Sequence, residues 1–200
     1  MNIRGKRIIL RAIEAEDLQM LHAWLNEPSI ALGLGDLHFP SSRSQQSKWF
    51  ERIQADRDTI RLAVQDWQEG TLIGYTGFWN IHWRDRRAEH ALVVGNARYQ
   101  GRGFGREIIM TSARYAFEEM DLHRLDANIL ETNAASRKAY EACGYKVEGV
   151  LREHALRGSQ RVNRLLLGLL ASEYHALVQE GRYWDEDEEA GAGESKGDAT

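Results

Sequence analysis

The sequence predicts a single α/β domain built around a mixed sheet. Stretches with the residue pattern of strands and stretches with helical spacing follow one another in the order β-α-α-β-β-β-α-β-α-β-β-α. No internal repeat and no linker breaks this order, so we expect one domain rather than two. Two hundred residues, 42% of them hydrophobic, suffice for a core without metal ions or disulfides.

The first half of the chain is predicted to supply four strands and two helices. Leu18, Leu21 and Leu25 recur at helical spacing. We expect their helix to stop before Pro28, because the residue before a proline disfavours helical backbone. Gly70 marks the turn of a hairpin. The predicted strands cover 7–13, 59–66, 71–83 and 86–95, and the predicted helices cover 15–26 and 45–53.

The second half is predicted to supply three helices and three strands. A helix over 106–120 places Ile108, Ile109, Ala113 and Phe117 on one side. Gly144 is positioned to end a second helix over 133–143. The predicted strands cover 124–130, 145–156 and 161–170, and a helix over 171–179 follows them.

Charge is unevenly distributed along the chain. Residues 185–200 hold seven acidic side chains and one lysine, so this stretch is at −6 while the whole chain is at −4. The rest of the chain is therefore close to neutral and lacks the basic stripe of a nucleic-acid-binding protein. Since 185–200 has no large apolar residue, it cannot offset the entropy cost of ordering. We expect a domain over 1–180 and an acidic, disordered tail over 181–200.

The remaining bulk features point to the cytoplasm. No apolar run approaches the roughly 18 residues of a membrane span, and the N-terminus is too charged for a secretory signal. The lone Cys143 excludes an intrachain disulfide and suggests a reducing compartment. We expect neither a membrane nor a nucleic acid as a partner, and a homodimer stays open.

A glycine-rich corner follows the fourth predicted strand. Gly101, Gly103 and Gly105 lie between that strand and a helix, where free N–H groups and the helix dipole favour a phosphate. A P-loop is excluded because no Lys-Ser or Lys-Thr follows a glycine here. A Rossmann site fits poorly, because three strands in hairpin order precede the corner and the glycine spacing differs from G-x-G-x-x-G. A flexible surface loop is the other alternative.

Two motifs carry a resemblance to a known family. Gln100-x-x-Gly103-x-Gly105 resembles the Q/R-x-x-G-x-G/A acetyl-CoA signature of the GNAT superfamily of N-acetyltransferases. A second block, formed by Asn133, Ser136, Tyr140, Glu141, Gly144 and Tyr145, is similar to the family's N-x-x-S/A-x-x-x-Y-E-x-x-G-F/Y. The end of the chain, from 148 to 174, resembles the RimJ/RimL branch, whose members acetylate protein N-termini, polyamines and amino sugars. The resemblance covers nearly all of residues 4–178.

The resemblance implies a mixed, mostly antiparallel sheet flanked by helices, with a splayed pair of strands that binds acetyl-CoA. Val93 and Val94 would hydrogen-bond the pantetheine arm, with an N–H near Val94 directed at the thioester oxygen. Asn133 would cap a helix and contact the pantetheine, beside Ser136 and Tyr140. The pyrophosphate would bind main-chain N–H groups of the corner, which comprises Gln100, Gly101, Arg102, Gly103, Phe104, Gly105 and Arg106. Whether Arg102 and Arg106 add charge is left open.

The resemblance also implies two proton-transfer groups. Glu89 lies fourteen positions before Gly103, the separation of the catalytic glutamate in some members, and is the candidate base. An ordinary half-exposed acid is the alternative. Its neighbour His90 should face the other side of the sheet. Tyr140 is the candidate acid, with Ser136 as its substitute, against the alternative of a buried core tyrosine.

The predicted activity is acetyl transfer from acetyl-CoA to a primary amine, by direct attack in a ternary complex. A CoA-binding module with degenerate catalysis is the rival hypothesis. The acceptor is a small molecule or a protein N-terminus, a polyamine or an amino sugar. We expect no metal site, because the seven histidines show no ligand spacing. Cys143, at a helix end, is expected to pack rather than to react.

Overall fold

The structure, a computed structural model, describes residues 2–31, 33 and 39–183, which form one α/β domain. Its sheet has eight strands in the order β1-β2-β3-β4-β5-β6-β8-β7. The pair β5–β6 is parallel and every other neighbouring pair is antiparallel. The strands are β1 (Ile3–Arg4), β2 (Ile8–Ala12), β3 (Ile60–Asp66), β4 (Leu72–His82), β5 (Arg87–Val94), β6 (Arg124–Leu130), β7 (Lys146–Arg157) and β8 (Gln160–Leu170). The predicted single domain with a mixed, mostly antiparallel sheet is confirmed.

Helices cover both faces of this sheet. They are α1 (Leu18–Leu25), α2 (Pro28–Ala31), α3 (Arg43–Ala55), α4 (Phe104–Arg114), α5 (Ala134–Ala142) and α6 (Ala171–Gln179). A π-helical turn, Tyr115–Glu119, extends α4 to nearly the predicted length. One strand and one α-helix were not predicted. The strand β1 has only two residues, too few to show a period, and Pro28 opens the short helix α2 as well as following the end of α1.

The feature that positions the site is the divergence of β5 from β6. Their parallel pairing joins Glu89 to Asp126 and goes no further, although β5 stays paired with β4 as far as Val94. Beyond Glu89 the two strands separate, so one edge of β5 is left without a strand partner. The predicted splayed strand pair is therefore present.

The two faces of the sheet carry separate parts of the core. On one face Leu21 and Trp24 of α1 pack with Ala63 and the partly buried Tyr75. On the other, α4 and α5 cover a larger cluster that includes Phe78 and extends to Tyr183. The core thus reaches three residues beyond the expected boundary at 180. The rest of the predicted tail, 184–200, lies outside the described residues.

Candidate active site

The glycine corner joins the end of β5 to α4. Gly101 (φ +70°) and Gly103 (φ +85°) both adopt left-handed backbone, and Gly103 is the N-cap of α4. A Cβ added at Gly101 would meet no protein atom within 4 Å, and one at Gly103 would come no nearer than 3.6 Å to Arg7. These glycines are therefore needed for backbone conformation and for open space, not for packing. The first N–H groups of α4 point into that space.

Side chains of the corner support the main chain from behind. The Gln100 amide donates to the Val94 carbonyl (2.9 Å), which fixes the corner against the end of β5. Phe104 is buried, with its ring edge-on to Tyr99 at 4.9 Å between centroids. The Arg7 guanidinium lies over the Phe104 ring and forms an ion pair with Glu107 (2.7 Å). What the corner offers a ligand is thus its backbone.

The free edge of β5 also presents main-chain groups. In an extended strand the N–H and C=O of one residue point to the same edge. The Val94 carbonyl binds Gln100 and the His90 carbonyl accepts from Tyr140, so neither is directed at β4. By this alternation the N–H groups of Leu92 and Val94 point into the gap between β5 and β6.

A cleft of about 540 Å³ connects the corner, this strand edge and α5. Its walls include the predicted Val93, Val94, Gln100, Gly101, Gly103, Gly105, Arg106, Asn133 and Ser136. Four predicted site residues are not in its walls, and the first of them, Glu89, lies where the pairing of β5 with β6 ends. The Phe104 side chain is in the core, Arg102 is exposed outside the cleft, and Tyr140 lies behind it.

The walls also contain residues that sequence reasoning missed. Ser29 and Ile30 come from α2, a helix too short to be predicted. Lys138 adds a cation from α5, two positions after Ser136, so the second motif contained it without marking it. On α5, Asn133 is the N-cap, as predicted, and its side chain accepts from the Ser136 N–H (3.0 Å).

The cleft suits a long phosphorylated ligand such as acetyl-CoA. Helix N–H groups with Arg106 and Lys138 match a pyrophosphate, and the unpaired edge of β5 matches the amides of a pantetheine arm. Such an arm would run along β5 towards Glu89, where the strands part.

Glu89 lies on the face of the sheet that α1 and α3 cover. Its carboxylate accepts from the Trp79 indole (3.2 Å), the Asn80 amide (2.8 Å) and the Asn128 amide (3.0 Å). All three donors are neutral, and within the described ranges no basic side chain forms an ion pair with Glu89. The carboxylate is held in position with acceptor capacity remaining, as a proton acceptor requires.

His90 faces the opposite side of the sheet, as predicted, and belongs to a buried polar network. Its Nδ1 lies 3.0 Å from the Tyr140 hydroxyl and its Nε2 lies 3.0 Å from Thr76 Oγ1. Thr76 donates to the Ala91 carbonyl (2.9 Å), so His90 Nε2 donates to Thr76 and Nδ1 is left as an acceptor. The single proton of the Tyr140 hydroxyl is shared between two acceptors, His90 Nδ1 (3.0 Å) and the His90 carbonyl (3.2 Å). Ser112 closes the network at 3.5 Å from Thr76.

Burial sets the charge state of this network. It lowers the pKa of His90 to about 3, so the imidazole is neutral near pH 7. Burial also raises the pKa of Tyr140 well above its ordinary value, so this hydroxyl keeps its proton. The network therefore holds a neutral donor, the Tyr140 hydroxyl, at the point where β5 leaves β6.

The other predicted exclusions concern Cys143, metals and the membrane. Cys143 is fully buried and burial raises the pKa of its thiol to about 12, which fits packing and not nucleophilic attack. Within residues 2–31, 33 and 39–183, no three histidine, cysteine or acidic side chains lie close enough together to bind a metal ion. No helix in that part of the chain is both long and apolar enough to cross a membrane.

Comparison with known proteins gives a consistent result. The family model described as acetyltransferase (GNAT) domain matches residues 7–146. Spermidine N(1)-acetyltransferase of Vibrio cholerae is 27% identical over 170 residues, which is 85% of this chain and 96% of the relative. The N-acetyltransferase YokL, derived from the SPbeta prophage of Bacillus subtilis and uncharacterized, is 25% identical over 171 residues, with 85% and 93% covered.

A solved structure shares the fold as well. The crystal structure of spermidine N-acetyltransferase from Vibrio cholerae in complex with CoA and spermine superposes with a TM-score of 0.79. It is 26% identical, and the match covers 86% of this chain and 99% of the other. These relatives do not place the chain in the RimJ/RimL branch, which stays a prediction.

Proposed function

The chain belongs to the GNAT family of acetyltransferases, and we propose that it transfers the acetyl group of acetyl-CoA directly to a primary amine within a ternary complex. Acetyl-CoA is the co-substrate of this family, and the chain is an acetyl-CoA-dependent N-acetyltransferase. The proposal concerns the order of events, the acceptor and the residues that act. One observation carries it: β5 leaves β6 directly after Glu89, so the free strand edge and the candidate base meet at one opening.

We assign the binding of acetyl-CoA mainly to main-chain groups. The pyrophosphate accepts hydrogen bonds from the N–H groups of the corner. The pantetheine arm forms main-chain hydrogen bonds along the free edge of β5, as an added strand would. The N–H of Val94 points into the gap and would donate to the thioester oxygen. This hydrogen bond would become stronger as negative charge develops on the oxygen during the attack.

We assign Glu89 as the base and Tyr140 as the acid. Glu89 takes a proton from the ammonium of the acceptor through a water molecule, and the amine nitrogen then attacks the thioester carbon. The C–S bond breaks and the thiolate takes a proton from the Tyr140 hydroxyl. The nitrogen loses its second proton as the amide forms and that proton restores the Tyr140 hydroxyl, so the net proton released is the one taken up by Glu89. Ser136, which lines the cleft in front of Tyr140, is the alternative acid.

Replacing Gly103 by valine tests the placement of the cofactor. In wild type, saturating acetyl-CoA should stabilise the fold by a few kcal/mol, read as a rise in Tm. A β-branched residue at φ +85° is strained and projects into the phosphate space, so the Gly103→Val protein should lose that rise. Gly158→Val is the matched control, because Gly158 also has positive φ (+59°) and open surroundings but lies in the β7–β8 turn. An unchanged rise in Gly103→Val would place the pyrophosphate elsewhere.

Initial velocities test the reaction itself. With acetyl-CoA and an amine both varied, direct attack in a ternary complex gives intersecting double-reciprocal lines. Parallel lines would mean an acetylated enzyme and would overturn direct attack. If acetyl-CoA binds but no primary amine releases CoA, the chain is a CoA-binding module instead.

A further inference from the structure

A second cavity, of about 650 Å³, lies beside the proposed reaction centre, between α1, α3 and the sheet. Arg61 of β3 pairs with Gly77 of β4, and Gly77 pairs with Ala91 of β5. Paired residues point to the same face, and Ala91 shares its face with Glu89 two positions before it. The cavity therefore opens on the face of the sheet that carries the proposed base.

The described walls of this cavity are cationic. Lys48, Arg52 and Arg61 line it, and no aspartate or glutamate does so among the described residues. The rest of the wall is largely apolar and aromatic, with Trp49 and Tyr75 as its largest members. Such a wall repels a polycation and attracts an anion, because like charges that are brought together without counter-charge repel each other.

Two polar atoms in this wall have no hydrogen-bond partner among the described residues. The Arg61 Nε and the Gln46 amide nitrogen are buried and make no hydrogen bond within the described part of the chain, and Gln46 is 3% exposed. Arg61 also forms no ion pair there, although its guanidinium lies 4.3 Å from the centroid of the Trp79 ring. Buried donors are costly when unpaired, and a buried charge is costlier still. An anion bound in the cavity beside them would offset that cost.

Arg61 is also close to the proposed base. The Trp79 ring under Arg61 donates through its indole nitrogen to Glu89 (3.2 Å), so one indole ring separates guanidinium and carboxylate. A molecule with an amine at Glu89 can therefore place an anionic group only a few bonds away against Arg61.

We propose that Arg61 and Gln46 bind a carboxylate of the acceptor, so that the acceptor is an amine that also carries a carboxylate and an apolar body, such as an amino acid with an apolar side chain. A carboxylate matches the planar guanidinium and offsets its positive charge. The inference rests on the proposed function, since it names the acceptor class of that site. It also separates this chain from its spermidine-acetylating relatives, whose substrate is a polycation.

Matched acceptors test the proposal. CoA release is measured with L-phenylalanine and 2-phenylethylamine, with L-methionine and 3-(methylthio)propylamine, and with spermidine. We expect the carboxylate-bearing member of at least one pair to have a kcat/KM about 10- to 100-fold higher than its partner, the value of a charge-assisted hydrogen bond. Spermidine should be the poorest acceptor. Better turnover of both plain amines or of spermidine would overturn the proposal.

Arg61→Gln tests the residue. It should raise the KM for the preferred amino acid and reduce the ratio within the pair to near one, whereas Arg57→Gln, an exposed arginine just after α3, should leave the ratio as in wild type. Because the substitution removes a half-buried charge that forms no ion pair within the described part of the chain, the ligand-free Tm should stay the same or rise. A preference that survives Arg61→Gln would contradict the assignment.

A binding measurement keeps this inference distinct from the proposed function. The probe is 3-phenylpropionate, which has the carboxylate and no amine. If it stabilises wild type and not Arg61→Gln, the carboxylate site stands even where no amine releases CoA. If amines are acetylated but the probe stabilises neither protein and no pair shows a preference, the function stands and this inference fails.

Discussion

Glu89 and His90 are neighbours in the chain, yet the two faces of β5 that they occupy have opposite electrostatic character. On one face the Glu89 carboxylate accepts from three neutral donors beside a cationic cavity. On the other, His90 is 1% exposed, neutral, and bonded to Tyr140 and Thr76 inside the core. A step of one residue along the strand thus moves from a charged, partly exposed site to an uncharged, buried one.

This difference separates the two proton transfers of the proposed reaction. A base must be ionised to accept a proton, while an acid must keep its proton until the thiolate forms. Side chains that alternate across a strand provide both environments within one residue of each other, and the gap beyond Glu89 lets the acetyl group pass between them. The faces should therefore respond differently to substitution and to pH.

The largest effect is expected on the buried face. Tyr140→Phe keeps the ring and removes the hydroxyl, so it should lower kcat by about 10²–10⁴-fold while the KM for acetyl-CoA changes little. It also leaves His90 Nδ1 without its donor, at a cost of about 1–3 kcal/mol in unfolding free energy. Turnover has to be measured at a temperature where the variant is fully folded.

Ser136→Ala is the matched control for Tyr140→Phe, because Ser136 also carries a hydroxyl on α5 but lines the cleft directly. A larger loss in Ser136→Ala would move the acid to that residue. Less than a tenfold loss in both would mean that the thiolate leaves without a protein acid.

A smaller effect is expected on the open face. Glu89→Gln removes the negative charge and turns one carboxylate oxygen into a donor that faces other donors, so kcat/KM should fall by about 10²-fold. The loss should grow as the pH is lowered, because the ammonium of the acceptor is then harder to deprotonate. Asp85→Asn, an exposed acid on the β4–β5 turn, should leave the pH–rate profile unchanged. A uniform loss at all pH values would mean that Glu89 positions the acceptor and is not its base.

How much the sequence could predict differs between the two binding regions. The cofactor cleft depends on local signals: glycines before a helix, an N-cap asparagine, and a strand just before them. These act through backbone conformation, so a short motif is sufficient. The cavity around Arg61 joins side chains of α1, α3, β3 and β4 that share no spacing in the chain, and only the packed structure brings them together.

His90 shows the same limit within a single strand. Alternation correctly placed it opposite Glu89, but its partners come from β4 and from α5, fifty positions further along the chain. The second motif contained Tyr140 without indicating that its hydroxyl binds His90. Similarly, Pro28 was read only as the end of α1, because a proline at a first helical position looks the same in sequence as one that stops a helix.

The smallest predicted effect is on stability, and it tests whether the buried face excludes protons as well as water. Burial lowers the pKa of His90 to about 3 in the folded protein, while an unfolded histidine titrates near 6.5. Between these values the unfolded chain binds a proton that the folded protein does not, so acid favours unfolding there. His90 should therefore make the free energy of unfolding fall as the pH drops from 6.5 towards 3, with about 2–3 kcal/mol lost by pH 4.5.

His90→Gln isolates this contribution, because glutamine keeps a donor and an acceptor but does not titrate. Urea unfolding at pH 7.5 and 4.5 should show a smaller acid loss in His90→Gln than in wild type, by about 2–3 kcal/mol. His154→Gln, which removes an exposed histidine from β7, should behave like wild type. Equal acid losses in all three proteins would mean that the His90 imidazole is protonated in the folded state. The network would then be open to water, and Tyr140 would lose the burial that raises the pKa of its hydroxyl.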